Sequence, residues 1–391
     1  MVSKLMKSFT VAAFGLFSLF ISITSFAKEG GDGNGDKKKK GFDAQEVIFG
    51  HILDGHEFHF FDLTDKKTGK VNPVGIPLPV ILYSPQRGFD VFMSSKFHHG
   101  HEAYQGYRIL DEHYLHTLEA KGVDIKKEGL SAGKLIAVDA TGNWDKSVKF
   151  YDISLTRNVV QMLLALALLV WIMITIAKKY QKGHGVKTAP SGMQNLIEPV
   201  ITFVRDEVAK PNLGNKWEKY LPYLLTLFFF ILINNLFGLI PGTANVTGNI
   251  AFTLILGIIS FIVILASSKK HYWGHIFNPP GMPLGVKFIL VPVEFLSLFI
   301  KPMALIIRLF ANMVAGHIII ICLISLIFIF AELNKAAGWG TTIFSLAFTI
   351  FIYFIEILVA FIQAYIFAML TAVFVGQAFE ETHHEEAHAA H

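Results

Sequence analysis

Arg308 lies within Ile306-Ile307-Arg308-Leu309-Phe310-Ala311-Asn312-Met313-Val314-Ala315-Gly316-His317, surrounded almost wholly by Ile, Leu, Phe, Val and Ala. A charge at the centre of a bilayer helix costs about 2.5–3.5 kcal/mol on insertion scales, so an arginine there implies a use. At about 100° per residue, Glu294, Ser297, Lys301, Arg308 and Asn312 fall within about 60° of one another. They form one polar stripe on an otherwise apolar helix. Ala311 and Ala315 lie beside the stripe and let a partner approach closely. His317, two and a half turns past Arg308, points the opposite way. In the next apolar block Glu356 and Gln363 are seven residues apart and share a face, with Tyr353 near it. Asn234 and Asn235 sit near one end of an earlier block.

These residue types suit proton chemistry. A membrane-buried carboxyl or imidazole can take up and release a proton. Arginine cannot be deprotonated in a protein. Between two protonatable pathways it is a fixed positive barrier. It also draws the proton off a carboxylic acid brought beside it, because the pair favours the ionised form. The competing reading is that Arg308 pairs with Glu294 or Glu356 only to hold helices together. Lys301 is suited to snorkelling to the inner interface.

The elements that must position these groups are membrane spans. Of 391 residues, 53% are hydrophobic and only 16% charged, too apolar a balance for an ordinary soluble protein. The apolar residues cluster in five blocks, at about 156–177, 221–240, 249–266, 286–331 and 341–378. The last two exceed the roughly 20 residues that an upright span needs, so they are expected to tilt or bend. Pro292 and Pro302 are natural bending points. The single cysteine, Cys322, falls in an apolar run and has no partner for an intrachain disulfide.

Charge sets the expected orientation. The segment 178–219 carries Lys178, Lys179, Lys182, Lys187, Arg205, Lys210, Lys216 and Lys219, whereas 241–248 carries no lysine or arginine. The positive-inside rule therefore puts 178–219, 267–285 and the C-terminus inside, and the N-terminal region outside. The N-terminus agrees. Lys4 and Lys7 precede an apolar stretch from Phe9 to Phe26, and Ser25-Phe26-Ala27 is an acceptable cleavage site, so residues 1–27 read as a signal peptide. Residues 28–42 read as a disordered Gly- and Lys-rich linker. Residues 43–150 show short apolar alternations broken by Gly, Pro, Asp and Asn, the pattern of a small β-rich extracytoplasmic region. Residues 381–391 read as a His/Glu-rich cytoplasmic tail.

Histidines gather outside the spans, at His51, His56, His59, His98, His99, His101, His113 and His116, and again at His383, His384, His388 and His391. A membrane di-iron oxygenase would use such boxes, but all on one side, and this topology separates the two groups. The first group could bind zinc or gather protons; ordinary surface histidines are the plainer reading. A secondary transporter would show internal repeat symmetry, which the sequence lacks. A purely structural membrane subunit would leave the polar stripe unexplained.

The stretch IIRLFANMVAGH, preceded by VEFLSLFIKPMAL, closely resembles the signature of subunit a of the F-type ATP synthase Fo sector. The run from Glu356 to Phe367, EILVAFIQAYIF, resembles that family's last helix, and Asn234 to Gly242, NNLFGLIPG, the end of its second span. The resemblance covers about 150–380 in order, giving a membrane domain over 151–380. It implies an all-α polytopic membrane fold whose last two helices form a tilted hairpin against a rotor ring, with the small β-rich region appended. Extensions of this kind are similar to those of Bacteroidetes-type members.

By that resemblance Arg308 faces the c-ring, separates two aqueous half-channels and discharges each arriving carboxyl group. His317 and Glu356 form the polar pair of the outer half-channel. Asn312, Gln363 and Asn235 line or orient the pathway, and Glu294 with Ser297 belongs to the inner exit. The implied partners are the c-subunit ring, b-type peripheral stalk subunits, the catalytic head through the complex, membrane lipid and the transported proton. The implied place is a bacterial inner membrane. No cofactor, resident metal or nucleic acid is expected. The chain has no GxxxxGK[ST] loop, so it is not expected to bind ATP itself. A sodium-coupled form of the same subunit and, behind it, a secondary ion transporter are the alternatives.

Overall fold

The structure is a computed structural model. It describes residues 54–64, 71–100, 102–131, 133–139, 141–183, 185, 189–190, 192–240, 243–278 and 283–379. The expected signal peptide, linker and C-terminal tail lie outside these residues, as do His51, His101 and the four histidines from His383 onward.

The region before the first long helix is built from three small antiparallel sheets. Strands β1 (Glu57–Thr64) and β2 (Val71–Pro77) pair alone, with a register shift between His59 and Phe61. Strands β3 (Pro79–Ser84), β4 (Gly88–Met93) and β7 (Tyr151–Asp152) form a sheet in the order β4-β3-β7. Strands β5 (Tyr107–Ile109) and β6 (Leu135–Ala137) form the third. Helix α1 (Glu112–Ala120) starts where the Asp111 carboxylate accepts the Tyr114 amide at 2.8 Å, satisfying one of the otherwise orphaned first-turn donors. The short helix α2 spans Ile125–Glu128.

Strand β6 shows why so small a region holds together. Leu135 and Ala137 face one apolar cluster with Val80, Leu82, Phe97 and Tyr107, while Ile136 faces a second with Leu110, Tyr114 and Leu118. Period-2 alternation thus lets a three-residue strand serve two cores. The expected β-rich character holds, with α1 and α2 added.

This region is tied directly to the first membrane helix, α3 (Arg157–Gln181). The Arg157 amide donates to Gly55 O at 2.9 Å, and the Asn158 amide to Asp54 Oδ1 at 3.3 Å. His56 Nε2 and Asp152 Oδ2 lie 3.0 Å apart beside them.

Among the described residues, five helical stretches are long and apolar enough to cross a membrane. Helix α3 buries Asn158, Gln161, Ala165, Leu169 and Ile176, a stripe at helical spacing. The segment read as an inner loop is largely helical: α4 (Met193–Phe203) passes through a π-helical stretch (Val204–Ala209) into α5 (Lys210–Leu213). Helices α6 (Trp217–Gly238) and α7 (Ile250–Ser267) follow, then the short α8 (Lys270–Phe277).

The two long blocks become α9 (Leu284–Leu333, 50 residues) and α10 (Lys335–Phe379, 45 residues), joined at Asn334. Helix α9 continues through both Pro292 and Pro302. At 1.5 Å per residue the two are about 75 and 68 Å long. A hydrocarbon core is about 30 Å thick, so neither stands upright across it. Helix α10 can press closely on its neighbours because Ala360, Ala364, Ala368 and Ala372 recur every fourth residue, all fully buried. Ala364, Ala368 and Ala372 share a core with Phe228 and Ile231 of α6 and Leu305, Leu309 and Met313 of α9.

Candidate ion-translocation site

Helix α9 divides its faces sharply. Leu305, Ile306, Leu309 and Met313 are buried against the bundle. Arg308 stands on the outer side, with Ala304, Ala311 and Ala315 exposed along the same strip. Three alanines leave the guanidinium standing proud of a shallow surface. Among the described residues Arg308 makes no ion pair or hydrogen bond, so it is not a brace to Glu294 or Glu356. Lys301, on the same side, has its ammonium 5.4 Å from the centre of the Phe374 ring, a cation–π contact that bridges the two hairpin helices. Asn312 is half-buried, one turn beyond Arg308.

Towards the start of α9, Glu294 and Ser297 are both half-buried, and Ser297 Oγ donates to the Glu294 carbonyl at 3.0 Å. The Tyr272 side chain of α8 is close enough to register the Glu294 charge. Burial pushes the Tyr272 phenol above its ordinary value, and the Glu294 carboxylate adds to the rise.

The other polar group forms inside the bundle. Glu356 is 7% exposed, and its Oε2 has no hydrogen-bond partner among the described residues. Its carboxyl group lies directly against the bare Cα of Gly316. Glycine is required by this approach: a methyl group there would overlap the carboxyl. The contact brings Glu356 to the turn of α9 that carries His317, which is half-buried. Asn235 of α6 is fully buried and donates through Nδ2 to the Ala360 carbonyl at 3.2 Å. Ala360 is one turn from both Glu356 and Gln363, and Gln363 is also buried. Asn235, Glu356 and Gln363 therefore meet on one side of α10. Neighbouring Asn234 instead bonds within its own helix, to Phe230 O at 2.8 Å.

Three further residues belong here that the sequence reading did not single out. Thr349 is buried with a hydroxyl that has no partner among the described residues, seven residues before Glu356. Thr349, Glu356 and Gln363 thus form one polar stripe, and the sevenfold spacing was its signal. Asn245 donates to the Met313 carbonyl at 3.2 Å, one turn before His317. Gln161 of α3 clasps Ala244: its Oε1 accepts the Ala244 amide at 2.8 Å, and its Nε2 donates to the Ala244 carbonyl. These last two fix the segment after α6 against α3 and α9.

Among the described residues the chain thus presents a cation without an ion pair on an outer strip of small residues, and an acid with amides inside the bundle, one helix apart. Of the histidines, His113 and His116 lie on α1, and His56 is engaged with Asp152. Among the described residues no three metal-ligating side chains converge.

Comparison with known proteins matches this architecture. The family described as ATP synthase A chain matches residues 159–376, and a domain of unknown function matches residues 47–152. The chain is 49% identical over 243 residues to ATP synthase subunit a of Chloroherpeton thalassium, covering 61% of this chain and 71% of that one. It is 45% identical over 248 residues to ATP synthase subunit a of Chlorobium phaeobacteroides, covering 62% and 70%. It is 40% identical over 246 residues to the subunit a of an Anaeromyxobacter strain, covering 61% and 57%. The membrane-spanning part carries these matches, and with more than half of its length inside the family's span the chain belongs to the ATP synthase subunit a family.

Proposed function

We propose that this chain is the proton-translocating stator subunit of a rotary ATP synthase. Arg308 faces the c-ring and holds apart two aqueous half-channels. It discharges the carboxyl group that each c-subunit brings past it, because the ion pair favours the carboxylate. The freed proton leaves through the Glu294–Ser297 end of α9. The next proton enters through the pathway of Glu356, His317, Gln363, Asn312 and Asn235. Proton flow then turns the ring, and ATP is made elsewhere in the complex.

The observation that carries this reading is the state of Arg308. It is an exposed cation in an apolar helix, without an ion pair among the described residues, on a strip of alanines that lets another helix come close. A charge so costly in lipid needs a partner that is brought to it.

The remaining parts follow from the same reading. The partners are the c-ring and the b-type peripheral stalk. The membrane is a bacterial inner membrane, with residues 178–219 and the C-terminal tail in the cytoplasm. Residues 1–27 direct insertion as a signal peptide, and 43–150 lie outside.

The test is ATP-driven acidification of inverted vesicles carrying the assembled complex, wild type against Arg308→Ala, with sodium varied. Loss of pumping by an intact complex supports the reading. Full pumping by the variant would falsify it. Pumping that requires sodium keeps the architecture and changes the ion.

A further inference from the structure

The sheet β4-β3-β7 has one face left largely uncovered by the described residues. Its register makes the face regular. Tyr83 is flanked by Phe89 on β4 and Tyr151 on β7. Ile81 is flanked by Val91, and on the other side its carbonyl accepts the Ile153 amide. Pro79 is flanked by Met93, and its carbonyl accepts the Leu155 amide. Every position of this three-by-three grid is apolar or aromatic, and none is charged. Phe89, Val91 and Tyr151 are 66%, 65% and 65% exposed. The opposite face is the ordinary one, with Val80 and Leu82 in the core and Phe92 packed against it.

A contiguous apolar face of this kind marks an interaction surface. Three features of its placement say what covers it. Leu155, at the end of the grid, is two residues from Arg157, where the membrane helix α3 begins, about 7 Å of extended chain. The sheet is not free to swing away from that helix. The Arg157 and Asn158 amides are bonded to Gly55 and Asp54, and His56 is bonded to Asp152 of β7 itself. The side chains are also those of a bilayer interface. The tyrosines carry an apolar ring and a polar tip, the composition of an aromatic belt, and Tyr83 stacks on Tyr151 with ring centres 6.5 Å apart.

We infer that this sheet face lies on the bilayer, with its apolar side chains in the boundary between headgroups and acyl chains. The region before α3 is then a peripheral membrane-binding module attached to the end of a span. It presses on the lipid beside the subunit, in the manner of an interfacial anchor. A protein surface seated on the same grid, whether another subunit or a second copy of this chain, is the competing occupant.

Spin labelling in the assembled complex, reconstituted in lipid vesicles, distinguishes these outcomes. Cys322 is replaced by Ala, and a single nitroxide is placed by Val91→Cys, or by Met93→Cys where the first impairs assembly. The control is Lys127→Cys, a well-exposed position away from the grid. Collisions with oxygen, which concentrates in lipid, are compared with collisions with a water-soluble nickel complex. On a lipid-facing grid the oxygen-to-nickel ratio at position 91 exceeds that at 127 several-fold. A ratio equal to that at 127 means a water-exposed face and overturns the inference. Low collision rates with both reagents mean a protein-covered face and also overturn it. None of the outcomes depends on which ion the complex moves.

Discussion

The Glu356 carboxyl group lies against Gly316, so an acid on one long helix is set into a gap on the other where a side chain is missing. The two residues are on the two arms of the hairpin, and the turn that offers the gap also carries His317. The position of the acid therefore depends on the absence of a methyl group. Gly316→Ala should displace Glu356. Overpacking of a buried contact costs about 1–3 kcal/mol. If that cost falls on the acid's working position, transport slows roughly tenfold or more. The shorter acid in a Gly316→Ala, Glu356→Asp double variant should recover part of the loss. ATP-driven acidification of inverted vesicles checks both. A double variant no better than the single one would mean that the methyl group acts by some route other than crowding the carboxyl.

Arg308 should behave in the opposite way. It is exposed and has no ion pair among the described residues, so its removal takes little from the fold. Surface substitutions of this kind usually lie within about 0.5 kcal/mol of neutral. Arg308→Ala should therefore leave the melting temperature of the assembled complex almost unchanged while pumping is lost. A large drop in thermal stability would instead reveal a structural brace.

Asn235 should affect both stability and transport. Its Nδ2 joins α6 to the Ala360 carbonyl over a sequence separation of 125 residues. A buried hydrogen bond lost without replacement costs about 1–3 kcal/mol. Asn235→Ala should lower the melting temperature by several degrees as well as slow transport. An unchanged melting temperature would mean that the bond does not contribute to holding the helices together.

The fate of Arg308, Glu356, Gln363 and Asn235 shows what sequence can and cannot carry. Polar groups inside apolar runs are costly, so their presence is itself a signal, and helical spacing gathers them correctly on faces. The five spans were legible for the same reason. What escaped were groups whose partners are backbone atoms. Gln161 holds Ala244, and Asn245 holds the Met313 carbonyl. Main-chain partners have no residue type, so no pattern announces them. The segment 178–219 also misled. Its lysines suggested a loop and masked the amphipathic helix α4, which carries polar residues along it and an internal Pro199. The apolar face of β3, β4 and β7 was hidden because a strand's alternation does not say which face is covered.

The joint between the small sheets and α3 should be sensitive to acid. Burial alone would raise the Asp152 carboxyl, but hydrogen bonds from His56 and Ser154 outweigh it and hold it below the ordinary aspartate value. A carboxyl depressed in the folded state stabilises it fully above the unfolded value, about pH 3.9. That contribution is lost as the pH falls from there through the folded value. Exchange of the Arg157 amide, corrected for the intrinsic slowing of amide exchange in acid, should therefore accelerate below about pH 4 in the wild type. In Asp152→Asn it should be faster at neutral pH and lack this acid step. An acid step of the same size in the variant would assign the titration to another group.

Two glycines separate backbone crowding from side-chain crowding. A methyl group on Gly376 of α10 would meet the Asn212 carbonyl oxygen, while one on Gly257 of α7 would meet the outer carbons of Ile306. The Ile306 contact is with side-chain carbons, which can turn off their preferred χ angle at a cost of about 0.5–1.5 kcal/mol without moving a backbone. The Asn212 carbonyl belongs to the α5 segment and cannot move without it. That segment is held in the core by Leu213, and the end of α10 is held by the Lys269 amide bonded to Ala378 O at 3.1 Å. Gly376→Ala should therefore lower thermal stability more than Gly257→Ala, by about 1–3 kcal/mol for the former. Parallel melting curves of the two variants test the order. Equal losses would mean that the end of α10 shifts as easily as a side chain turns, and that α5 does not fix its position.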